Sequence, residues 1–323
     1  MTIYEKICTL QAEQPRLALV TVNCENSPYT NYSGNLRNCY LLTGSEYDED
    51  SYYGFWMYYS KDCVDCAYCD HCELCYDCVD CIDCYNCHGC QDSSNTRDSY
   101  YSYDLLGCSD CFGCVGLRRK QYCFFNQQLT KEEYEKKIAE WKNYSKEQIM
   151  PYVEQLKEKM PRALVHQANN QDCTGDYIYN CKGVSESFDV KDLEDCAYMN
   201  SSVQVKDSFD CSNMYFKSEL NYQVMSAMNL YNSNFCVTCF DSNDLEYCEN
   251  VYNSKYCFGC FSLNHAEYCI FNEQYTEEEY FKKLAEIKEK MMQEGDYCRL
   301  LPTSYPELFD TSGNALVHEC EAS

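Results

Sequence analysis

Ten cysteines stand three residues apart in one run: Cys63, Cys66, Cys69, Cys72, Cys75, Cys78, Cys81, Cys84, Cys87 and Cys90. Thiolates gathered in fours suit Zn(II), Cu(I) or an Fe–S cluster. If the backbone closes a turn every twelve residues, sets such as Cys66, Cys69, Cys72 and Cys75 converge on one level. All ten are therefore candidate metal ligands. Two other readings compete. Cysteine also behaves as a small apolar residue and is commonly buried as core filler. In an oxidising compartment, pairs such as Cys63 and Cys69 could instead form disulfides across a turn. Repeated Cys-x-x-Cys normally points to a metal, but a spacing imposed by the backbone needs none. His71 and His88 lie inside the run and could supplement ligation, although their phase points them outward.

Other chemistry is sparse. A reactive thiol needs neighbouring positive charge, and only Arg118, Arg119 and Lys120, near Cys114 and Cys123, offer it. The sequence carries no phosphate loop, no Gly-x-Gly-x-x-Gly, no Gly-x-Ser-x-Gly and no His-Glu-x-x-His. His166, His265 and His318 are scattered.

The element that positions the cysteines is a triplet repeat. Upstream in the same frame lie Ser60, Met57, Gly54, Ser51, Asp48, Ser45, Leu42, Cys39, Leu36, Ser33, Thr30, Ser27 and Cys24. Downstream lie Ser93, Thr96, Ser99, Ser102, Leu105, Cys108, Cys111, Cys114, Leu117, Lys120 and Cys123. Only Asp48 and Lys120 break a column of small or apolar residues. Period three is neither the 3.6 of a helix nor the 2.0 of a flat strand. It fits a chain that turns a corner after each three-residue edge, with one residue per edge facing the axis. Four edges make a coil of about 12 residues. Asn26, Asn38, Asp50, Asp62, Leu74, Asn86, Asp98 and Asp110 then fall on one column, Asx but for Leu74, and Asx residues tolerate left-handed backbone. Two positions along lies a mostly aromatic column, Tyr40, Tyr52, Tyr76, His88, Tyr100, Phe112 and Phe124, with Pro28 and Val64 the exceptions.

The second half repeats the first at an offset of 146: Cys111-Phe112-Gly113-Cys114 matches Cys257-Phe258-Gly259-Cys260, and Pro15-Arg16 matches Pro161-Arg162. Its triplet frame slips by one residue between Cys211 and Val224, which predicts an inserted residue at a bulge or wide corner. Thr130 with Glu133 and Thr276 with Glu279 form capping boxes that open helices. A short helix over about Tyr152–Met160 precedes Pro161, and Ile3, Ile7 and Leu10 before Pro15 look equivalent. The predicted fold is mainly β with capping α-helices: two tandem β-solenoids of about 12 residues per coil, each bracketed by helices that block end-to-end stacking. The expected boundaries are a capping helix at 1–23, a cysteine-rich solenoid at 24–129, a helical cap and linker at 130–168, a second solenoid at 169–275, a capping helix at 276–293 and an irregular tail at 294–323.

The chain has 323 residues, with 29 Cys, 33 Tyr and a net charge of −26. That charge repels phosphate backbones and anionic lipid, which argues against nucleic acid and membrane partners. It leaves basic proteins, other protein partners or homo-oligomers. No apolar run is long enough to span a bilayer, and Met1-Thr2-Ile3-Tyr4-Glu5-Lys6 does not open a signal peptide. A cytoplasmic, reducing location is expected, with thiols or metal ligands rather than disulfides.

Several motifs resemble an uncharacterised cysteine-rich repeat family of candidate-phyla bacteria: Tyr29-Thr30-Asn31-Tyr32-Ser33-Gly34, Tyr58-Tyr59-Ser60-Lys61-Asp62-Cys63, Cys111-Phe112-Gly113-Cys114 and Tyr268-Cys269-Ile270-Phe271-Asn272. The resemblance covers roughly residues 10–295. It lacks the N-terminal zinc-ribbon-like segment usual in that family. It implies a repeat fold and no particular activity. In architecture the period also resembles the beetle antifreeze β-helices, but their ice-binding Thr-x-Thr ladder is absent. The functional expectation is a non-enzymatic structural or protein-interaction module, or alternatively a thiolate metal-binding or storage protein using Cys63–Cys90.

Overall fold

A computed structural model describes residues 1–15, 19–55, 64–67, 75–76, 87–91, 93, 95–141, 143–161 and 164–302, with no side-chain description at 55, 64–67, 75–76, 87–89 and 91. The chain is mainly β, a β-solenoid of stacked coils with four helices among the described residues. Short parallel strands follow one another in chain order. The aromatic column is a strand ladder: Tyr40 pairs with Tyr52, Tyr52 with Val64, Val64 with Tyr76, Tyr76 with His88, His88 with Tyr100, Tyr100 with Phe112 and Phe112 with Phe124. Each run of coils ends in a short antiparallel pair, Gln121–Phe124 with Gln127–Gln128 and Glu267–Ile270 with Glu273–Gln274.

The triplet frame has a backbone origin. The residue before each inward position sits in the left-handed region, as at Asn38 (φ 54), Leu41 (φ 54), Asp50 (φ 55) and Tyr53 (φ 57). Asx residues accept this conformation readily. For Leu or Tyr it costs on the order of 1 kcal/mol, offset by hydrogen bonds to adjacent coils. Within a triplet, the N–H of Arg37 donates to Asp48 O at 3.0 Å and that of Asn38 donates to Glu25 O at 3.0 Å. The third N–H, that of inward Cys39, reaches a side chain instead, Ser27 Oγ at 3.1 Å. Outside, the corner amides form their own ladder, with Asn26 Nδ2 donating to Asn38 Oδ1 and Asn38 Nδ2 to Asp50 Oδ1.

The expected frame slip is local. Ser212 pairs with Met225 and Met214 with Ala227, thirteen positions apart, whereas Met225 pairs with Val237 at twelve. The extra residue is taken up at Phe216 and Lys217, two consecutive positive-φ residues (φ 51 and 49). Asp48 and Lys120, the two breaks in the inward column, behave differently. Asp48 is buried within the coil, while Lys120, in a final coil, is exposed.

The helices are α1 (Ile3–Glu13), α2 (Lys131–Trp141), α3 (Lys146–Lys159) and α4 (Glu277–Glu294). The capping boxes at Thr130/Glu133 and Thr276/Glu279 are formed. The third helix starts earlier than Tyr152. Ser145 caps it with Gln148, and Pro151 lies inside. Pro151, the sixth residue of the helix, lacks an N–H and so leaves Glu147 O, on an exposed residue, without its intrahelical bond.

The chain forms two compact units. One contains the coils up to Gln128 with α2 and α3; the other contains the coils from Gln167 onward with α4 and α1. Within residues 1–23, α1 therefore belongs to the unit of the second-half coils, while Thr21–Val22 pairs with Ser33–Gly34 of the coils that follow it in sequence. In its unit, α1 buries Tyr4 and Ile7 against Phe235, Tyr247, Phe258 and Ile270, beside Tyr280 and Met291 of α4. In the other unit, α3 buries Ile149 and Val153 against Phe112, Val115 and Phe124, beside Tyr134 of α2. The seats match at the duplication offset. Tyr152 packs its ring 5.6 Å from that of Phe125, and Lys6 sits 4.1 Å above that of Phe271.

Candidate functional site

The inward thiols are the groups on which any chemistry would turn. Cys63, Cys69, Cys72, Cys78, Cys81 and Cys84 lie outside the described residues, as does His71. Cys66, Cys75 and Cys87 lie on parallel strands, paired with Gly54, Cys87 and Cys75 respectively; the His88 side chain is outside the described set. Cys90 is buried and donates to Ser99 O at 3.2 Å. Among the described residues, no group of three or more His, Cys, Asp or Glu side chains is arranged to hold a metal ion.

The described cysteines show what this position does. Two kinds of bond recur at the inward Ser and Cys, with Ser45, whose buried Oγ has no partner, as an exception. The side-chain hydrogen goes to a carbonyl two residues back, as from Cys39 Sγ to Arg37 O (3.3 Å), Cys111 Sγ to Ser109 O (3.4 Å) and Ser233 Oγ to Tyr231 O (2.9 Å). The lone pairs accept the inward N–H of the next coil. Leu245 N donates to Ser233 Oγ at 3.1 Å, Ala266 N to Ser254 Oγ at 2.9 Å, Leu193 N to Cys181 Sγ at 3.5 Å and Asn272 N to Cys260 Sγ at 3.5 Å. A strand ladder satisfies two N–H groups per triplet, and the inward side chain takes the third. A buried N–H left without an acceptor costs about 1–3 kcal/mol. The inward position therefore favours a side chain that is small enough for the coil and also carries an acceptor, and Ser and Cys are such residues.

The same burial keeps the thiols neutral. It pushes Cys211 up to about 12 and Cys196 and Cys269 to about 11. Cys236, Cys248 and Cys260 lie well above the ordinary value, again chiefly through burial. Cys108 is raised first by its hydrogen bond with the Cys111 thiol and then by burial; Cys257 is raised likewise by Cys260. The basic trio suggested by sequence does not reverse this. Arg118 pairs with Asp104 at 2.6 Å, and Cys123 is raised by burial. These thiols are poor nucleophiles, because reactivity follows the thiolate.

The outward aromatic column divides. Under the helices, Phe112 and Phe124 are buried, with Trp141 edge-on to both (6.3 and 5.5 Å). Further from the helices, Tyr29, Tyr52 and Tyr53 are exposed, with Tyr40 joining Tyr29 and Tyr53 edge to face. The coils of the second half carry a similar exposed strip, Tyr198, Phe209 and Tyr222. No single column marks it in the sequence, because Tyr198 and Phe209 lie eleven positions apart and Phe209 and Tyr222 thirteen.

Among the described residues, no helix is long and apolar enough to cross a membrane. No protein-family model and no curated protein matches the chain. Among solved structures, the chain is similar to a putative acetyltransferase from Desulfovibrio desulfuricans G20, at 12% identity and a TM-score of 0.11. The match covers 72% of this chain and 54% of that one, so this chain spans about half of that protein's length. A likeness that slight carries no argument about fold or activity.

Proposed function

We propose that the chain is a non-enzymatic structural or protein-interaction module: two tandem β-solenoids of about 12 residues per coil, helically capped, in a reducing cytoplasm. Membership of the cysteine-rich repeat family that its motifs resemble belongs to the same reading. The observation that carries it is the double use of the inward side chains. Thiols that fill the coil, accept backbone N–H groups and stay protonated are structural parts, and the cysteines with described side chains are free thiols. What the coils leave for recognition is their outer face, with its exposed aromatic rungs. The alternative, thiolate metal storage, rests on the spacing of Cys63–Cys90 alone. Elemental analysis of protein purified without added metal separates the two, combined with thiol titration before and after denaturation. The module reading expects no stoichiometric metal and a full thiol count on unfolding. Stoichiometric Zn, Cu or Fe lost when that run is mutated to serine overturns it.

A further inference from the structure

The helix-covered face of the second-half coils does not end where the helices end. Ala197 pairs with Phe209, Phe209 with Tyr222 and Tyr222 with Asn234, so these outward positions form one continuous rung series. At its covered end, Phe235 and Tyr247 are stacked at 4.7 Å and buried beneath α1 and α4. Tyr222 meets Phe235 edge to face at 5.7 Å, which carries the aromatic ladder out from under the helices. Beyond it, Tyr222 is 37% exposed, Phe209 47% and Tyr198 55%.

We propose that this uncovered strip docks a basic amphipathic helix of a partner protein, an inference that rests on the interaction-module reading above. The molecule supplies the precedent for the binding mode. α4 covers the neighbouring rungs with Tyr280 and Met291, and its Lys288 forms an ion pair with Glu246 of the same face. Three rungs spaced about 5 Å apart span about 10 Å, the distance from i to i+7 on a helix. That is the spacing of the apolar stripe Ile3, Ile7 and Leu10 that α1 lays on the covered rungs. The charge of the strip selects the partner's sign. Its outward residues are Ser185, Glu186, Ala197, Tyr198, Phe209, Asp210, Tyr222 and Gln223, two acids and no base, in a chain of net charge −26. That net charge also disfavours a second copy as the occupant.

The test uses the full chain and a labelled, synthetic 18-residue peptide of leucine and lysine with apolar residues at i, i+3, i+4 and i+7, followed by fluorescence anisotropy. The charge-reversed peptide, with glutamate for lysine, and phosphatidylcholine vesicles serve as comparisons. Binding of the lysine peptide is expected, weakened at least about tenfold by Tyr198→Asn/Phe209→Ser/Tyr222→Ser and about two- to fivefold by Glu186→Gln/Asp210→Asn, with the salt sensitivity lost. Asn at 198 suits the left-handed backbone there (φ 57). The charge-only variant leaves the apolar surface intact and so reads the site even if the triple variant unfolds. Absence of binding, equal binding of the glutamate peptide, or binding unchanged in both variants overturns the site and leaves the module reading standing. Vesicle binding or self-association lost in the same variants overturns the choice of partner. Co-purifying metal, measured on the same samples, overturns the module reading whatever the peptide does.

Discussion

Replacing Ser233 by alanine distinguishes a small filler from a structural hydrogen-bonding residue. Ser233 is fully buried; its Oγ accepts from Leu245 N at 3.1 Å and donates to Tyr231 O at 2.9 Å. Alanine leaves the Leu245 N–H facing a methyl group, at about 1–3 kcal/mol, and removes a bond worth about 1 kcal/mol. Burying a methyl in place of a hydroxyl returns part of this. The expected net loss is about 2 kcal/mol. Ser233→Cys keeps both the acceptor and the donor, in the geometry Cys181 uses toward Leu193 (3.5 Å), and should stay within about 1 kcal/mol of wild type. Urea unfolding gives the stability. Because repeat arrays can lose two-state behaviour, residue-resolved amide exchange should accompany it, with Leu245 exchanging about 30-fold faster in the alanine variant if the local opening free energy falls by that amount. An alanine variant as stable as wild type, with Leu245 protection unchanged, would refute the hydrogen-bond account and restore plain packing.

Four further outcomes follow from the same geometry. Gly113→Ala places a Cβ 2.3 Å from Phe125 Cε1 on a left-handed residue (φ +60) and should cost about 2–3 kcal/mol, whereas Gly107→Ala, with 3.6 Å of room (φ +62), should cost only about 1 kcal/mol; thermal melts of the pair give the comparison. Ile7→Ala, at a fully buried position, should cost about 2–4 kcal/mol, and amide exchange should show the loss around Phe235, Tyr247 and Phe258, not around Phe112. A raised folded-state thiol pKa contributes stability that is present below the unfolded value and lost above it; Cys211, raised from 9.0 to about 12, therefore predicts stability falling between pH 9 and 12, checked by urea midpoints across that range. Iodoacetamide at pH 8 should label exposed Cys298 in the native protein before buried Cys211, Cys236 or Cys248, read by peptide mass mapping.

The triplet frame was legible because it is a backbone property. A left-handed residue every third position is Asx at one corner of most coils, as at Asn26, Asn38, Asp50, Asp98 and Asp110, and the inward neighbour is small or apolar. The slip before Val224 was legible for the same reason: one extra residue moves every later inward position by one. The role of the inward hydroxyls and thiols was not legible, because Ser, Cys and Ala have similar size and only the unpaired third N–H of each triplet separates them. Helix α3 begins six residues before Tyr152, because a proline inside a helix costs one backbone bond, here that to Glu147 O, without ending it. The metal question was opened by the Cys63–Cys90 spacing, and that same spacing follows from the frame.

The placement of α1 bears on how the two halves of the chain correspond. By sequence the repeat runs helix, coils, helix, since Ile3, Ile7 and Leu10 align with Ile149, Val153 and Leu156 at the offset of 146. In space each set of coils is closed by two helices on the face of its last rungs, α2 with α3 in one unit and α4 with α1 in the other. Each unit is thus a set of coils closed by two helices, and the second unit takes one of its helices from the start of the chain. α3 follows α2 after a short connection, so its seat is filled by a neighbour in sequence. α1 reaches Phe235 and Phe258 across more than two hundred residues. Stacked coils ordinarily contact only adjacent coils, and their stability is a sum of nearest-neighbour terms. A helix donated from the far end of the chain adds one long-range term, and with it the folding of residues 1–13 becomes coupled to that of the second-half coils. Ile7→Ala measures that coupling: if the second-half amides keep their protection while Ile7 is truncated, α1 is an ornament on that face and α4 alone closes those coils.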